Sequence, residues 1–192
     1  MPTPIQRYLT IISSIVLLLL AGCGSAPALT SKSEVVPAGV DLSGHWYIRG
    51  ESGAMRMPES RDTGIRSIPI GRQSRDRPER RSAGMSVQVF LEYGDALKIT
   101  QTEHGLFISY DRSVVREYTF GENRLVNVGP IEALRVSGWE GNTFVVETLD
   151  NDGTTLYEYW RLDSAGEVLV RDIRLSKGEH EKFSLTQLFD RK

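Results

Sequence analysis

From residue 85 to the end of the chain, apolar and polar residues alternate in short runs divided by turn residues. Period-two alternation of β-branched and aromatic residues marks strands with one buried face. The pattern predicts strands over 86–92, 97–102, 106–110, 114–120, 124–128, 133–138, 143–149, 155–162, 168–175 and 181–189, with an earlier one over 41–49. Turn signals separate them, including His104-Gly105, Gly121-Glu122-Asn123, Glu140-Gly141-Asn142 and the stretch from Asp163 to Gly166. Connections this short join antiparallel neighbours, since a parallel pair needs a long crossover. The expected fold is therefore all-β: an antiparallel meander forming a closed or partly open barrel of about 8–10 strands.

Alternation also assigns faces. Phe144, Val146 and Thr148 share one side of their strand, with Val145 and Glu147 on the other. Leu156, Glu158 and Trp160 oppose Tyr157, Tyr159 and Arg161, so this strand is expected to be covered on both faces. Phe183, Leu185, Gln187 and Phe189 make another mostly apolar row.

The N-terminus follows a different pattern. Arg7 precedes an apolar stretch over 8–20, followed by Leu20-Ala21-Gly22-Cys23. The stretch is shorter than the roughly 20 residues of a spanning helix and suits a signal-peptide core. Together these parts resemble the lipobox of bacterial lipoproteins. The resemblance implies cleavage before Cys23, a diacylglyceryl group on its thiol and acylation of its new amine, often with palmitate. Several acyl chains anchor stably, because each buried methylene adds about 0.8 kcal/mol. The expected organisation is a signal peptide over 1–22, a lipidated Cys23 with a flexible tether to residue 40, and a β domain over 41–192 carrying an insertion at 50–84. Gly24 stands where inner-membrane lipoproteins of enteric bacteria carry Asp, so the resemblance favours the outer membrane, facing the periplasm.

Asp41-Leu42-Ser43-Gly44-His45-Trp46-Tyr47 resembles the entry to a lipocalin-like, calycin-type barrel, with Gly44 and Trp46 matching its Gly-x-Trp. In that family the Trp closes one barrel end beneath an Arg near the last strand, for which Arg191 is the counterpart here. Ordinary core packing of Trp46 is the alternative reading.

Charge refines this picture. The chain has 25% charged residues and a formal net charge of -2. Residues 49–84 hold nine arginines against five acids, and residues 85–192 hold twelve Lys/Arg against eighteen Asp/Glu. A basic insertion thus interrupts an acidic domain. Arg75, Arg77, Arg80 and Arg81 form its densest part, and their forked guanidinium groups suit phosphate or carboxylate partners. A solvated loop without a specific partner is the alternative. The acidic balance of the rest argues against nucleic acid.

No catalytic pattern emerges. His45, His104 and His180 stand apart without metal-binding spacing. There is no Gly-x-Ser-x-Gly elbow or phosphate loop, and the single cysteine is assigned to lipid. Asp150 and Asp152 sit in turn sequence that Asx-turn chemistry explains. No cofactor is expected. Trp139, Phe144, Tyr157, Tyr159 and Trp160 are candidates to line a ligand cavity or to fill the core. The sequence thus predicts a lipid-anchored envelope protein that binds a small apolar ligand or lipid. The alternative is an interaction lipoprotein that engages an anionic envelope partner through its Arg-rich insertion and strand edges.

Overall fold

A computed structural model describes residues 28–50 and 86–192. Cys23 and Arg75, Arg77, Arg80 and Arg81 lie outside the described residues. The described chain forms ten strands: β1 (Gly44–Ile48), β2 (Ala96–Gln101), β3 (Gly105–Tyr110), β4 (Val114–Thr119), β5 (Glu122–Val128), β6 (Ile131–Glu140), β7 (Thr143–Asp150), β8 (Thr154–Leu162), β9 (Val168–Lys177) and β10 (His180–Arg191). All ten belong to one antiparallel sheet ordered β4-β3-β2-β1-β10-β9-β8-β7-β6-β5. It is a meander whose first strand is moved in beside its last. Trp46 registers with Arg191 on one side and Leu97 on the other. The result is a nearly closed barrel with one unsealed seam between β4 and β5, consistent with a lipocalin-like fold.

One expected strand is corrected. Residues 86–92 do not extend the sheet; Ser86–Phe90 is a 3₁₀ turn. The apolar residues fit either period: Val87, Val89 and Leu91 read as a strand, while Val87, Phe90 and Leu91 read as a helical face. The second grouping is the one buried, and Val89 is left 39% exposed. Packing against the barrel end decides between the two. Val87, Phe90 and Leu91 meet Ala133, Leu156, Ile173, Leu175 and Leu185 and plug that end.

The other cluster fills the barrel toward the opposite end. Trp46, Leu97, Ile108, Tyr110, Phe144, Trp160, Leu169 and Phe189 are all essentially inaccessible there. Within β7 and β8 the expected faces hold, with Phe144, Val146, Leu156 and Trp160 buried in the two core clusters. Turn chemistry holds too: the Asp150 carboxylate accepts hydrogen bonds from the backbone N–H of Asp152 (2.9 Å) and Thr154 (2.8 Å).

Candidate functional site

The Trp46 end of the barrel is built from the residues that the sequence singled out. The Arg191 guanidinium lies 4.3 Å from the Trp46 ring centroid, within cation–π range. Its Nη1 donates to the Ser43 carbonyl at 3.0 Å, and the Trp46 indole N–H donates to the Leu42 carbonyl at 3.0 Å. Gly44 makes room for this stack. Its φ is +151°, and a Cβ there would sit 3.0 Å from Arg191 Nη1 and 3.3 Å from Trp46 Nε1. The Gly-x-Trp spacing therefore has a steric basis in this chain.

Deeper in the barrel lies a polar cluster that the sequence did not reveal as one. Arg171 and Glu158 are buried at 0% and 2% exposure. Arg171 donates through Nε (3.1 Å) and Nη2 to Glu158 Oε2, and through Nη1 to the Gln187 amide oxygen (3.1 Å) and the Glu92 carbonyl (2.9 Å). Its guanidinium also lies 4.5 Å from the Trp160 ring centroid and 5.5 Å from that of Tyr110. Burial acts against the charge on Arg171, but Tyr110 and Glu158 outweigh it and hold the proton more tightly than usual. Burial likewise pushes the Tyr110 phenol above its ordinary range. The buried Tyr110 hydroxyl and Trp160 indole N–H have no hydrogen-bond partner among the described residues. Alternation was the available signal, because Glu158 falls between Leu156 and Trp160, and Arg171 between Leu169 and Ile173.

The five aromatic candidates divide between the faces of the wall. Trp139, Phe144 and Trp160 belong to the core. Phe144 meets Trp139, Phe120 and Tyr118 edge-to-face at centroid distances of 5.6, 5.6 and 5.8 Å. Tyr157 and Tyr159 project the other way as a parallel pair 6.2 Å apart, with Arg174 5.6 Å from the Tyr159 ring. The structure therefore brings three of the five together inside and places two outside.

The seam presents different chemistry. Phe120 N–H bonds to the His104 carbonyl across β3 and β4 at 2.9 Å. By antiparallel alternation, Val115, Glu117 and Thr119 then turn their backbone groups toward the seam. Side chains close the end near Phe120: Ser137 Oγ donates to the Thr119 carbonyl (2.8 Å) and Arg135 Nη2 to the Glu117 carbonyl (3.4 Å). Arg135 Nε is also paired with Glu122 Oε1 at 2.5 Å, and Glu122 accepts the Thr119 N–H at 3.4 Å. No such closure reaches Val115 among the described residues. Val115 and Leu125, one on each edge strand, are 63% and 69% exposed.

One surface depression, of about 630 Å³, runs past Glu34, Val35, Val36, Glu103, His104 and Phe120; another, of about 430 Å³, lies over Asp172, Arg174 and Glu181. The three histidines are exposed, and no group of three or more metal-ligating side chains occurs among the described residues. No protein-family model matches this chain, and no curated protein matches it in sequence.

Proposed function

We propose that this is a lipid-anchored envelope protein whose barrel is an interaction module, taking up an extended segment of an envelope partner at the open half of the seam. The observation that carries this reading is the pair of sheet edges, unmatched among the described residues, that bear exposed Val115 and Leu125. An unpaired strand offers a row of N–H and C=O groups that an incoming strand satisfies, while flanking apolar side chains select its sequence. The interior supports the same reading from the other side. Large side chains fill it, Trp46 and Arg191 cover one end, and the 3₁₀ turn plugs the other. The lipobox resemblance supplies the anchor at Cys23, and Gly24 after it favours the outer membrane facing the periplasm.

A photoreactive residue at Leu125 tests this in intact cells. It should crosslink to a distinct envelope protein, and Val115→Pro should abolish the adduct. Proline there removes an N–H directed at the seam and no ladder bond to β3, so the barrel stays folded. Persistence of the adduct in the folded Val115→Pro protein argues against strand addition. A lipid-sized mass retained by the purified barrel in native mass spectrometry would favour the apolar-ligand reading instead.

A further inference from the structure

We propose that the segment before β1 is a clamped strap that keeps the Trp46 end of the barrel toward the bilayer. The end plugged by the 3₁₀ turn, and the open half of the seam beside it, are then presented away from the membrane. This orientation rests on the reading of Cys23 as the lipid anchor.

The clamp has three parts. Ser33 pairs with Trp139 in antiparallel fashion, through Ser33 N–H to the Trp139 carbonyl (3.2 Å) and Trp139 N–H to the Ser33 carbonyl (2.9 Å). Lys32, its side chain 6% exposed, bonds Glu140 at 2.5 Å and Glu147 at 2.6 Å. Gly138 lets the strap approach: a Cβ there would lie 2.4 Å from the Ser33 carbonyl oxygen and 2.8 Å from Lys32 Cβ. Val36 and Val40 then pack against the core on the way to β1.

Direction follows from the pairing. β6 runs from Ile131 toward Glu140, so an antiparallel strap approaches from beyond Glu140. That is the end holding the β4–β5 turn, the entry to β1 and the Trp46–Arg191 stack. The 3₁₀ turn that follows the 50–84 insertion packs at the opposite end.

Reach sharpens the consequence. A chain extends at most about 3.6 Å per residue, so a leash from Cys23 to Asp41 could span about 65 Å. Clamped at Lys32, the leash spans at most about 32 Å. The twelve residues of β10 run about 40 Å along the strand. Tilted in a barrel wall, that strand rises about 30 Å. A leash of similar maximum reach leaving from the Glu140 end therefore favours that end nearest the bilayer, where one of about 65 Å would let the barrel turn over.

Asn142 and Asn151 flank β7 and are exposed at its two ends. Cys23 is the sole cysteine, so Asn142→Cys or Asn151→Cys introduces one labelling site beside the lipidated thiol. The full lipidated chain is reconstituted in phosphatidylethanolamine/phosphatidylglycerol vesicles carrying an acceptor on their head groups. Energy transfer should be several-fold stronger from position 142 than from 151. In Glu140→Gln/Glu147→Gln this contrast should weaken, because the released leash is longer although it still leaves from the same end. Trypsin should cut after Lys32 about tenfold faster, as expected when the strap opens more often.

Equal transfer from both sites in the parent chain overturns the orientation. An unchanged contrast and cleavage rate in the double variant overturns the clamp; Gly138→Ala repeats that arm through sterics alone. If Cys23→Ser binds vesicles as well as the parent does, the anchor reading fails and the orientation with it. The trypsin rates then still decide whether the strap is clamped.

Discussion

Arg171 lies with its guanidinium carbon 4.5 Å from the Trp160 ring centroid while two of its nitrogens bond Glu158, the inward-facing residue two positions earlier on the same strand as Trp160. One cation is thus held by both an aromatic face and a carboxylate of β8. Its remaining bonds reach Gln187 on β10 and the Glu92 carbonyl just after the 3₁₀ turn. Arg171 therefore ties three adjacent strands to the segment that plugs the barrel. Glu92 is tied a second time through its carboxylate, which pairs with Arg116 on β4.

Removing only Arg171 leaves Glu158 as an unpaired buried carboxylate, and breaking a buried pair in this way costs about 3–5 kcal/mol. Arg171→Met should lower the urea midpoint accordingly. Arg171→Met/Glu158→Leu should recover most of the loss, because it removes both charges together. Equal midpoints for the single and double variants would show that Glu158 is not desolvated by the fold.

The divided aromatic candidates predict a divided response. Phe144→Ala deletes a fully buried ring at the centre of the edge-to-face cluster and should cost about 3–5 kcal/mol. Tyr157→Ala removes a partly exposed ring stacked on Tyr159 and should cost about 1 kcal/mol. Denaturant titration of both variants checks the contrast. Similar losses would place Tyr157 in the core.

Much of this fold was legible because a strand half-buried in a barrel repeats its exposure every two residues. Stretches of β8, β9 and β10 show that period, whereas β6 and β7 bury consecutive residues and are marked by the turns that bound them; in all five only the ends differ from the expected bounds. The 3₁₀ turn was misread because five residues carrying Val87, Val89 and Phe90 satisfy either period. Only contact with the barrel end distinguishes the two. The Trp46–Arg191 pair was legible through a short motif, whereas Arg171 and Glu158 were not. Alternation places a charged residue on an inward face but does not name its partner, and register alone brings these two strands together. The seam was invisible for a similar reason: nothing in Val115 or Leu125 says that their strands lack a neighbour among the described residues.

Arg191 tests the cover over Trp46. Arg191→Ala should cost about 1 kcal/mol, the scale of an exposed cation–π contact. Arg191→Lys should recover only part of it, since an ammonium lacks the planar face that lies over the indole. Thermal unfolding of the three proteins gives the order parent, Lys, Ala. Indistinguishable melting temperatures would make the stack a neighbourly contact without energetic weight.

Acid stability provides the last test. On β9, burial pushes the Asp172 carboxyl up, but hydrogen bonds from Thr186 and Arg161 and the Arg161 charge more than offset this and hold it below the usual carboxylate range. A carboxyl depressed in the folded state binds a proton more readily once the chain unfolds. Its stabilising contribution is therefore complete above the unfolded value, near 3.9, and disappears as pH falls through the lower folded value. Asp172→Asn should lower the melting temperature at neutral pH, and its deficit relative to the parent should shrink as the solution is acidified below about pH 4. Asp190, held low by Arg49, leaves the variant some acid sensitivity of its own. A deficit that stays constant from neutral pH to pH 2 would mean that Asp172 stabilises the barrel through its shape and hydrogen bonds rather than its charge.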